Sequence, residues 1–316
     1  MSAARNRILS PAKLYRKPPF LSQNANVTFA AEAMNFTCLV SPDQLAQHLH
    51  DPQWVIFDCR FALTRPESGR QAYAKAHIPG ARYAHLNEDL SAAVTPTSGR
   101  HPLPDPGLLA GKLGLWGVDR DKQVIVYDDS FGSMAVRLWW LLRWLGHDAV
   151  ALLDGGFPSW AKQGRELTAE IAVIRPTEFH PAPDDSLWVG SNATLEALRQ
   201  KRVIVDARAE ERFSGLFEPL DKVAGHIPGS INSPFEDNLD LRGNFLSAEA
   251  LRAHYESLLH GARPDEVIHM CGSGVTACHN LLALEIAGMP GGKLYAGSWS
   301  EWITDPSRPI VKGGTS

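Results

Sequence analysis

The sequence predicts an α/β protein of two tandem domains, each a mostly parallel sheet flanked by helices. One reason is the alternation of short β-branched apolar runs with amphipathic stretches of helical period, the pattern of strand–helix–strand units. A second is an internal repeat. Val55-Ile56-Phe57-Asp58 recurs as Val203-Ile204-Val205-Asp206, and His77-Ile78-Pro79-Gly80 recurs as His226-Ile227-Pro228-Gly229. Val124 to Tyr127 matches Val267 to Met270, and Gly155 and Trp160 match Gly297 and Trp302 at equal spacing. The third is the stretch from Ile171 to Gly190, with Pro176, Pro181, Pro183, Asp184 and Asp185, a composition suited to an extended linker. The boundaries that follow are an N-terminal extension 1–35, a first domain 36–170, a linker 171–188 and a second domain 189–316.

Along the chain, Ser41-Pro42-Asp43-Gln44 has the form of a helix start with a capping box, and Ser191 and Ser247 stand where N-caps are expected. The extension holds Arg5, Arg7, Lys13, Arg16 and Lys17 with no acidic residue before Glu32, and it lacks the apolar core of a secretory signal. It reads as a flexible leader, with a mitochondrial transit peptide as one alternative and a start at Met34 as another. A hydrophobic content of 44%, charged content of 21% and net charge of −4 describe a globular chain with neither a membrane span nor a nucleic-acid surface. Four cysteines, Cys38, Cys59, Cys271 and Cys278, form no Cys-x-x-Cys pair. Neither a disulfide framework nor a zinc site is indicated, and a reducing, cytoplasmic setting is expected.

The chemistry concentrates in Cys271-Gly272-Ser273-Gly274-Val275-Thr276-Ala277. This segment lies between the apolar run ending at Met270 and a helix expected from about Val275 to Ala287, at the carboxyl end of a parallel strand where α/β sheets bind ligands. Its glycines allow the backbone to curl around the thiol. The helix start points N–H groups and the positive dipole end toward it. Such a turn favours a thiolate or a charged sulfur carried on it. The alternative is that Cys271 is a small buried apolar residue at a strand end. Cys278, two helical turns on, is expected to pack the helix, with a role as a resolving thiol as the alternative. Aligning the repeats through Ala135 and Ala277 puts Asp129 opposite Cys271, so the first copy lacks the nucleophile.

On these signatures the chain resembles the tandem rhodanese family of sulfurtransferases, from about Phe36 to Ile310. Further matches are Leu153-Asp154-Gly155-Gly156-Phe157 and Tyr295-Ala296-Gly297-Ser298-Trp299-Ser300-Glu301-Trp302. The Cys-Gly-Ser-Gly-Val-Thr-Ala loop is similar to that of the members that use 3-mercaptopyruvate, whereas those preferring thiosulfate carry basic residues after the cysteine. The resemblance implies a catalytically silent first domain and a catalytic second one. It implies that Cys271 takes a sulfane sulfur as a persulfide and passes it to a thiophilic acceptor such as thioredoxin or a low-molecular-weight thiol. No cofactor or metal is implied. Gly272, Ser273, Gly274, Val275 and Thr276 would hold the sulfur, and Arg212, six residues after Asp206 on a helix expected over 209–214, would bind a donor carboxylate. Ser273 would pass a proton through His77. His77 has a twin in His226, however, which equally suits a structural role at a turn. Arg208 is expected to pair with Asp206.

Two positions depart from the family. Its second substrate arginine meets Glu218-Pro219-Leu220, with Lys222 the nearest cation, and an acidic partner ahead of His77 is confined to Glu67. Three rival readings stand beside this one: thiosulfate as the donor, a non-catalytic regulatory module, and a phosphatase. The last needs an arginine six residues after the cysteine, where Ala277 stands.

Overall fold

A computed structural model describes residues 35–313. The extension expected over 1–35 lies outside this range except for Asn35. The first half contains β1 (Leu39–Val40), α1 (Pro42–Gln47), β2 (Trp54–Asp58), α2 (Ser68–Lys75), β3 (Arg82–Tyr83), α3 (Pro106–Leu115), β4 (Gln123–Tyr127), α4 (Val136–Trp144), β5 (Val150–Leu153) and α5 (Gly156–Lys162). The second contains β6 (Trp188–Val189), α6 (Ser191–Arg199), β7 (Ile204–Asp206), α7 (Glu210–Ser214), β8 (Ile231–Asn232), α8 (Ala248–Leu259), β9 (Ile268–Met270), α9 (Ala277–Ile286), β10 (Lys293–Tyr295) and α10 (Ser298–Trp302). The strands form two five-stranded sheets, in the orders β1-β5-β4-β2-β3 and β6-β10-β9-β7-β8. Every pairing is parallel, and the two orders are the same path traced twice.

Burial on both faces explains why the central strands read as unbroken apolar runs: all five residues of β4 are buried. On one face of each sheet lies a private core, which includes Ile56, Ile125 and Trp160 in the first half and Ile204, Met270 and Trp299 in the second. The opposite faces share a single core across the two halves, with α4 and α9 packed against each other. Eight of the nine residues of α4 are buried, among them Trp139, Trp140 and Arg137. This shared core fixes the loops of one half against those of the other.

Ser41 and Gln44 form the reciprocal capping box, and Ser247 caps α8 through Ala250 N. Ser191 does not cap α6: Gly190 takes that position, and Ser191 Oγ accepts from Arg308 Nη2 at 2.9 Å. The linker segment is extended as composition suggests, yet it lies along the first half, with Thr177 and Ala182 donating backbone hydrogen bonds to Gly114 and Leu145.

Three histidines are buried as neutral rings. Burial holds His269 and His279 down to about 3, and burial reinforced by Arg137 and Arg100 does the same to His101. The unfolded chain protonates these rings near 6.5, so between about pH 6.5 and 3 it binds more protons than the folded one. Their contribution to stability is therefore intact above 6.5 and falls with pH through that window, by up to about 1.4 kcal/mol per pH unit for each ring. Thermal unfolding followed by circular dichroism should show a steady Tm above pH 6.5 and a steep loss between about pH 6.5 and 4. A flat profile would contradict the neutral assignment.

Candidate functional site

The two strand ends that bear the loops are equivalent by register. Asp58 pairs with Tyr127 and Asp206 with Met270, so the next residues, Asp128 and Cys271, occupy the same place. The backbone agrees, because Phe157 N donates to Asp128 O and Trp299 N to Cys271 O. The counterpart of Cys271 is thus Asp128 and not Asp129. The first loop is one residue longer than the second, an insertion that an alignment anchored on the helix side displaces.

Asp128 reveals what such a loop binds. Its carboxylate is fully buried and accepts hydrogen bonds from the backbone N–H groups of Ser130, Gly132, Met134 and Ala135, all at 2.8–2.9 Å. The first half carries its own anion at the centre of the turn. In the second loop, the N–H groups of Gly272, Ser273, Gly274, Val275 and Thr276 donate to no protein acceptor among the described residues. By analogy with the donors that meet at Asp128, these unpaired N–H groups form an anion cradle, with α9 adding the positive end of its dipole. Gly274 has φ +75°, and a Cβ on it would lie 2.3 Å from Ala296 O, so only glycine permits this curl. The helix starts at Ala277, two residues later than expected, and the loop is correspondingly longer.

Cys271 is 2% exposed, with its own N–H donating to Ser298 Oγ at 3.1 Å. It lines a cavity of about 50 Å³ together with Arg100, His101, Arg212, Gly272 and Ser273. Cys278 packs as expected, its Sγ donating to Gly274 O, and burial pushes its pKa up to about 12. It stays a thiol at neutral pH, which favours packing over a resolving role. The cation nearest in kind to the site is Arg137, fully buried on α4. It crosses between the halves to donate to Gly274 O at 2.9 Å and to His101 O at 3.1 Å, with no carboxylate among its partners.

The histidine on Ser273 is His101, and this corrects the expectation of His77. Ser273 Oγ lies 2.7 Å from His101 Nδ1, and His101 Nε2 donates to Asn87 Oδ1 at 3.1 Å. With the ring neutral and its proton on Nε2, Nδ1 accepts from the serine hydroxyl. His77 is engaged elsewhere: Nδ1 donates to Tyr73 O at 2.8 Å, Nε2 lies 3.1 Å from Glu170 O, and the ring stacks on Tyr73. Its twin His226 repeats the arrangement with Phe213. Both pin their turns by an antiparallel bridge, to Thr168 and Val311.

Arg208 and Asp206 form the expected bidentate pair, duplicated by Arg60 and Asp58. Arg212, on α7, is mostly buried. Its Nε donates to Glu218 and its Nη2 to Asp221 at 2.9 Å, while the guanidinium faces the Gly272 backbone. Among the described residues Lys222 enters no side-chain hydrogen bond, and Arg100, from the first half, lines the Cys271 cavity beside Arg212.

A second question is whether a metal has a place here. Among the described residues Glu67, His85 and Glu88 group closely enough for one. Arg70 already donates to both carboxylates, and His85 Nδ1 accepts from the N–H groups of Asn87 and Glu88, which leaves the proton on Nε2 facing Glu67. The carboxylates are already paired with Arg70 and backbone donors hold the His85 tautomer, so this cluster reads as an ion-pair group. Among the described residues no helix is long and apolar enough to cross a membrane.

Comparison with known proteins agrees with this geometry. A model of the rhodanese-like domain matches residues 41–163 and again 191–305. The chain is 51% identical over 284 residues to a Pseudomonas aeruginosa protein named "Probable 3-mercaptopyruvate sulfurtransferase", covering 89% of this chain and all of that one. It is 35% identical to the thiosulfate sulfurtransferase of Bos taurus, over 85% of this chain and 92% of the other. The crystal structure of a 3-mercaptopyruvate sulfurtransferase from Escherichia coli superposes with a TM-score of 0.72 at 36% identity, covering 84% of this chain and all of that one. Two matched segments, two sheets of one topology and a cysteine at the centre of an N–H cradle lead to the same place: this chain belongs to the rhodanese family, with two rhodanese-like domains in tandem.

Proposed function

We propose that this protein is a sulfurtransferase that takes a sulfane sulfur from 3-mercaptopyruvate onto Cys271 and delivers it to a thiol acceptor. The observation that carries the reading is that the N–H groups of 272–276 take no protein acceptor, whereas those of the twin loop donate to the Asp128 carboxylate. A persulfide anion on Cys271 is the charge that such a loop lacks and its twin supplies from a side chain. The Cys271 thiolate attacks the donor sulfur, forming an S–S bond. The C–S bond breaks, its electron pair goes to the carbon that becomes the pyruvate methyl, and the donor's thiol proton ends on that carbon. The products are Cys271 persulfide and pyruvate.

Ser273 is placed to handle that proton. His101, held at about 3, is too weak a base to keep a proton at neutral pH, so its role is to orient the hydroxyl while Ser273 Oγ hands the proton on. Asn87 fixes the tautomer. Arg137 adds a buried positive charge behind the loop, and Arg212 supplies a guanidinium for the donor carboxylate. The first domain is catalytically silent, since Asp128 fills its loop, but it lends His101, Asn87 and Arg137. The acceptor in this reading is a low-molecular-weight thiol or thioredoxin, and the setting is cytoplasmic. All four cysteines are free, which suits a reducing compartment.

Donor choice is the test. Initial rates of sulfur release from 3-mercaptopyruvate and from thiosulfate, with a small thiol as acceptor, should favour 3-mercaptopyruvate in kcat/KM by at least about tenfold. The warrant is that the residues following Cys271 are neutral, whereas a doubly charged donor such as thiosulfate is favoured by cations directly after the cysteine. A preference for thiosulfate would overturn the donor assignment, and turnover of neither would overturn the function.

A further inference from the structure

We propose that Arg137, supplied by the first domain, is the positioning residue of the cradle: by holding the Gly274 carbonyl it turns the Val275 N–H onto the sulfur that Cys271 carries. The inference rests on the persulfide reading above and names the residue that sets the cradle's geometry. Arg137 and His279 occupy equivalent places, each two residues beyond the alanine that aligns the repeats, Ala135 in one and Ala277 in the other. Each reaches across to a carbonyl in the other domain's loop. Arg137 Nη1 donates to Gly274 O at 2.9 Å, and His279 Nε2 donates to Phe131 O at 3.1 Å, its Nδ1 accepting from Asn238 Nδ2. The two carbonyls are equivalent as well. Phe131 and Gly274 stand three residues beyond Asp128 and Cys271, and both have left-handed backbone, with φ +60° and +75°.

The first loop shows what such a pin does. The carbonyl held by His279 belongs to the Phe131–Gly132 peptide, and the N–H of that same peptide donates to Asp128 Oδ1 at 2.8 Å. A trans peptide points its C=O and N–H to opposite sides, so fixing the carbonyl from outside aims the N–H at the centre of the turn. In the second loop the Gly274 carbonyl is held by Arg137 and by Cys278 Sγ at 3.4 Å. The same rule sends the Val275 N–H toward the place that the Asp128 carboxylate takes in the twin, where Cys271 carries its sulfur. The pins differ in charge. His279 is a neutral ring, whereas Arg137 is a buried cation whose Nε has no partner and whose acceptors are carbonyls alone. The groups near enough to offset its burial are the sulfurs of Cys278 and Cys271. Cys278 stays a thiol, so Cys271 is the sulfur whose negative charge can balance the guanidinium.

The experiment compares Arg137→Met with Arg137→Lys and with His279→Leu, which removes the equivalent pin from the silent loop. Pyruvate release from 3-mercaptopyruvate by Arg137→Met should fall about 100-fold in kcat, with KM within about threefold of wild type. Arg137→Lys, which keeps the charge and a donor, should recover part of the loss. His279→Leu should keep kcat within about twofold of wild type while the enzyme is folded. Alkylation of Cys271 by iodoacetamide, followed by peptide mass, uses neither the donor nor the proton path through Ser273. Its rate constant near pH 7 should fall about tenfold in Arg137→Met and rise again in Arg137→Lys. Arg137→Gln, an uncharged amide of smaller size, carries the same alkylation prediction should Arg137→Met fail to fold. Alkylation at the wild-type rate in either folded variant overturns the proposal, and so does an equal loss of kcat in His279→Leu, which would reduce Arg137 to interface packing. A wild type that releases no pyruvate from 3-mercaptopyruvate, while Cys271 alkylates in the order predicted, would instead overturn the functional reading, so the two failures are distinguishable.

Discussion

Cys271→Ser is expected to abolish sulfur transfer from every donor, a loss on the order of 10⁴-fold or more, with folding and Tm nearly unchanged. Serine is close to cysteine in size and preserves the N–H bond to Ser298 and the curl at Gly274. What it lacks is a sulfur that can be ionised at neutral pH and form an S–S bond. Steady-state assays with 3-mercaptopyruvate and thiosulfate check this, and retention of more than about 1% of wild-type rate would place the chemistry elsewhere. The regulatory-module reading predicts no change on this substitution, because it predicts no activity to lose.

Asp128→Ala should act in the opposite way, on stability more than on chemistry. The substitution removes an acceptor shared by four backbone donors inside the first domain. Leaving buried N–H groups unpaired costs about 1–3 kcal/mol each, moderated by any water that enters. The expected loss is on the order of 3–6 kcal/mol, measured as the urea midpoint of unfolding. Catalytic residues stay in place while the protein is folded, so kcat at low temperature should change little. A variant as stable as wild type would show that the first loop does not depend on its carboxylate, and it would weaken the analogy on which the cradle argument stands.

Much of this architecture was legible in the sequence because the repeat is carried by residues with one structural job each. Asp58 and Asp206 end equivalent strands and each holds the arginine two residues on. His77 and His226 pin equivalent turns. Repeated spacing between such residues implies repeated topology. Cys271 was legible for a different reason: the glycines, the strand before and the helix after are all local, so one short segment contains the whole cradle. Arg212 was legible through its spacing from Asp206.

The rest depends on contacts that local pattern does not encode. His101 reaches Ser273 across 172 positions, from a loop without regular secondary structure. The usable signal was asymmetry. Ser98-Gly99-Arg100-His101-Pro102 has no twin in the second half, whereas His77 does, and a residue serving one active loop out of two should lack a twin. Arg137 was hidden by its helix, where an arginine beside Trp139 and Trp140 reads as the polar edge of an amphipathic face, although α4 is buried nearly all round. Asp128 was misplaced by one residue because the first loop is longer, and strand register supplied the missing anchor. Leu220 read as a lost substrate contact, and the structure brings Arg100 to the same rim from the other domain.

The most direct measurement of the central claim is intact and peptide mass spectrometry after treatment with 3-mercaptopyruvate in the absence of any acceptor. The cradle reading predicts a gain of one sulfur, about 32 Da, on the peptide containing Cys271, reversed by a small thiol and absent from Cys278 and from Cys271→Ser. Unmodified Cys271 under conditions that release pyruvate, or the same gain on Cys38, Cys59 or Cys278 instead, would contradict it.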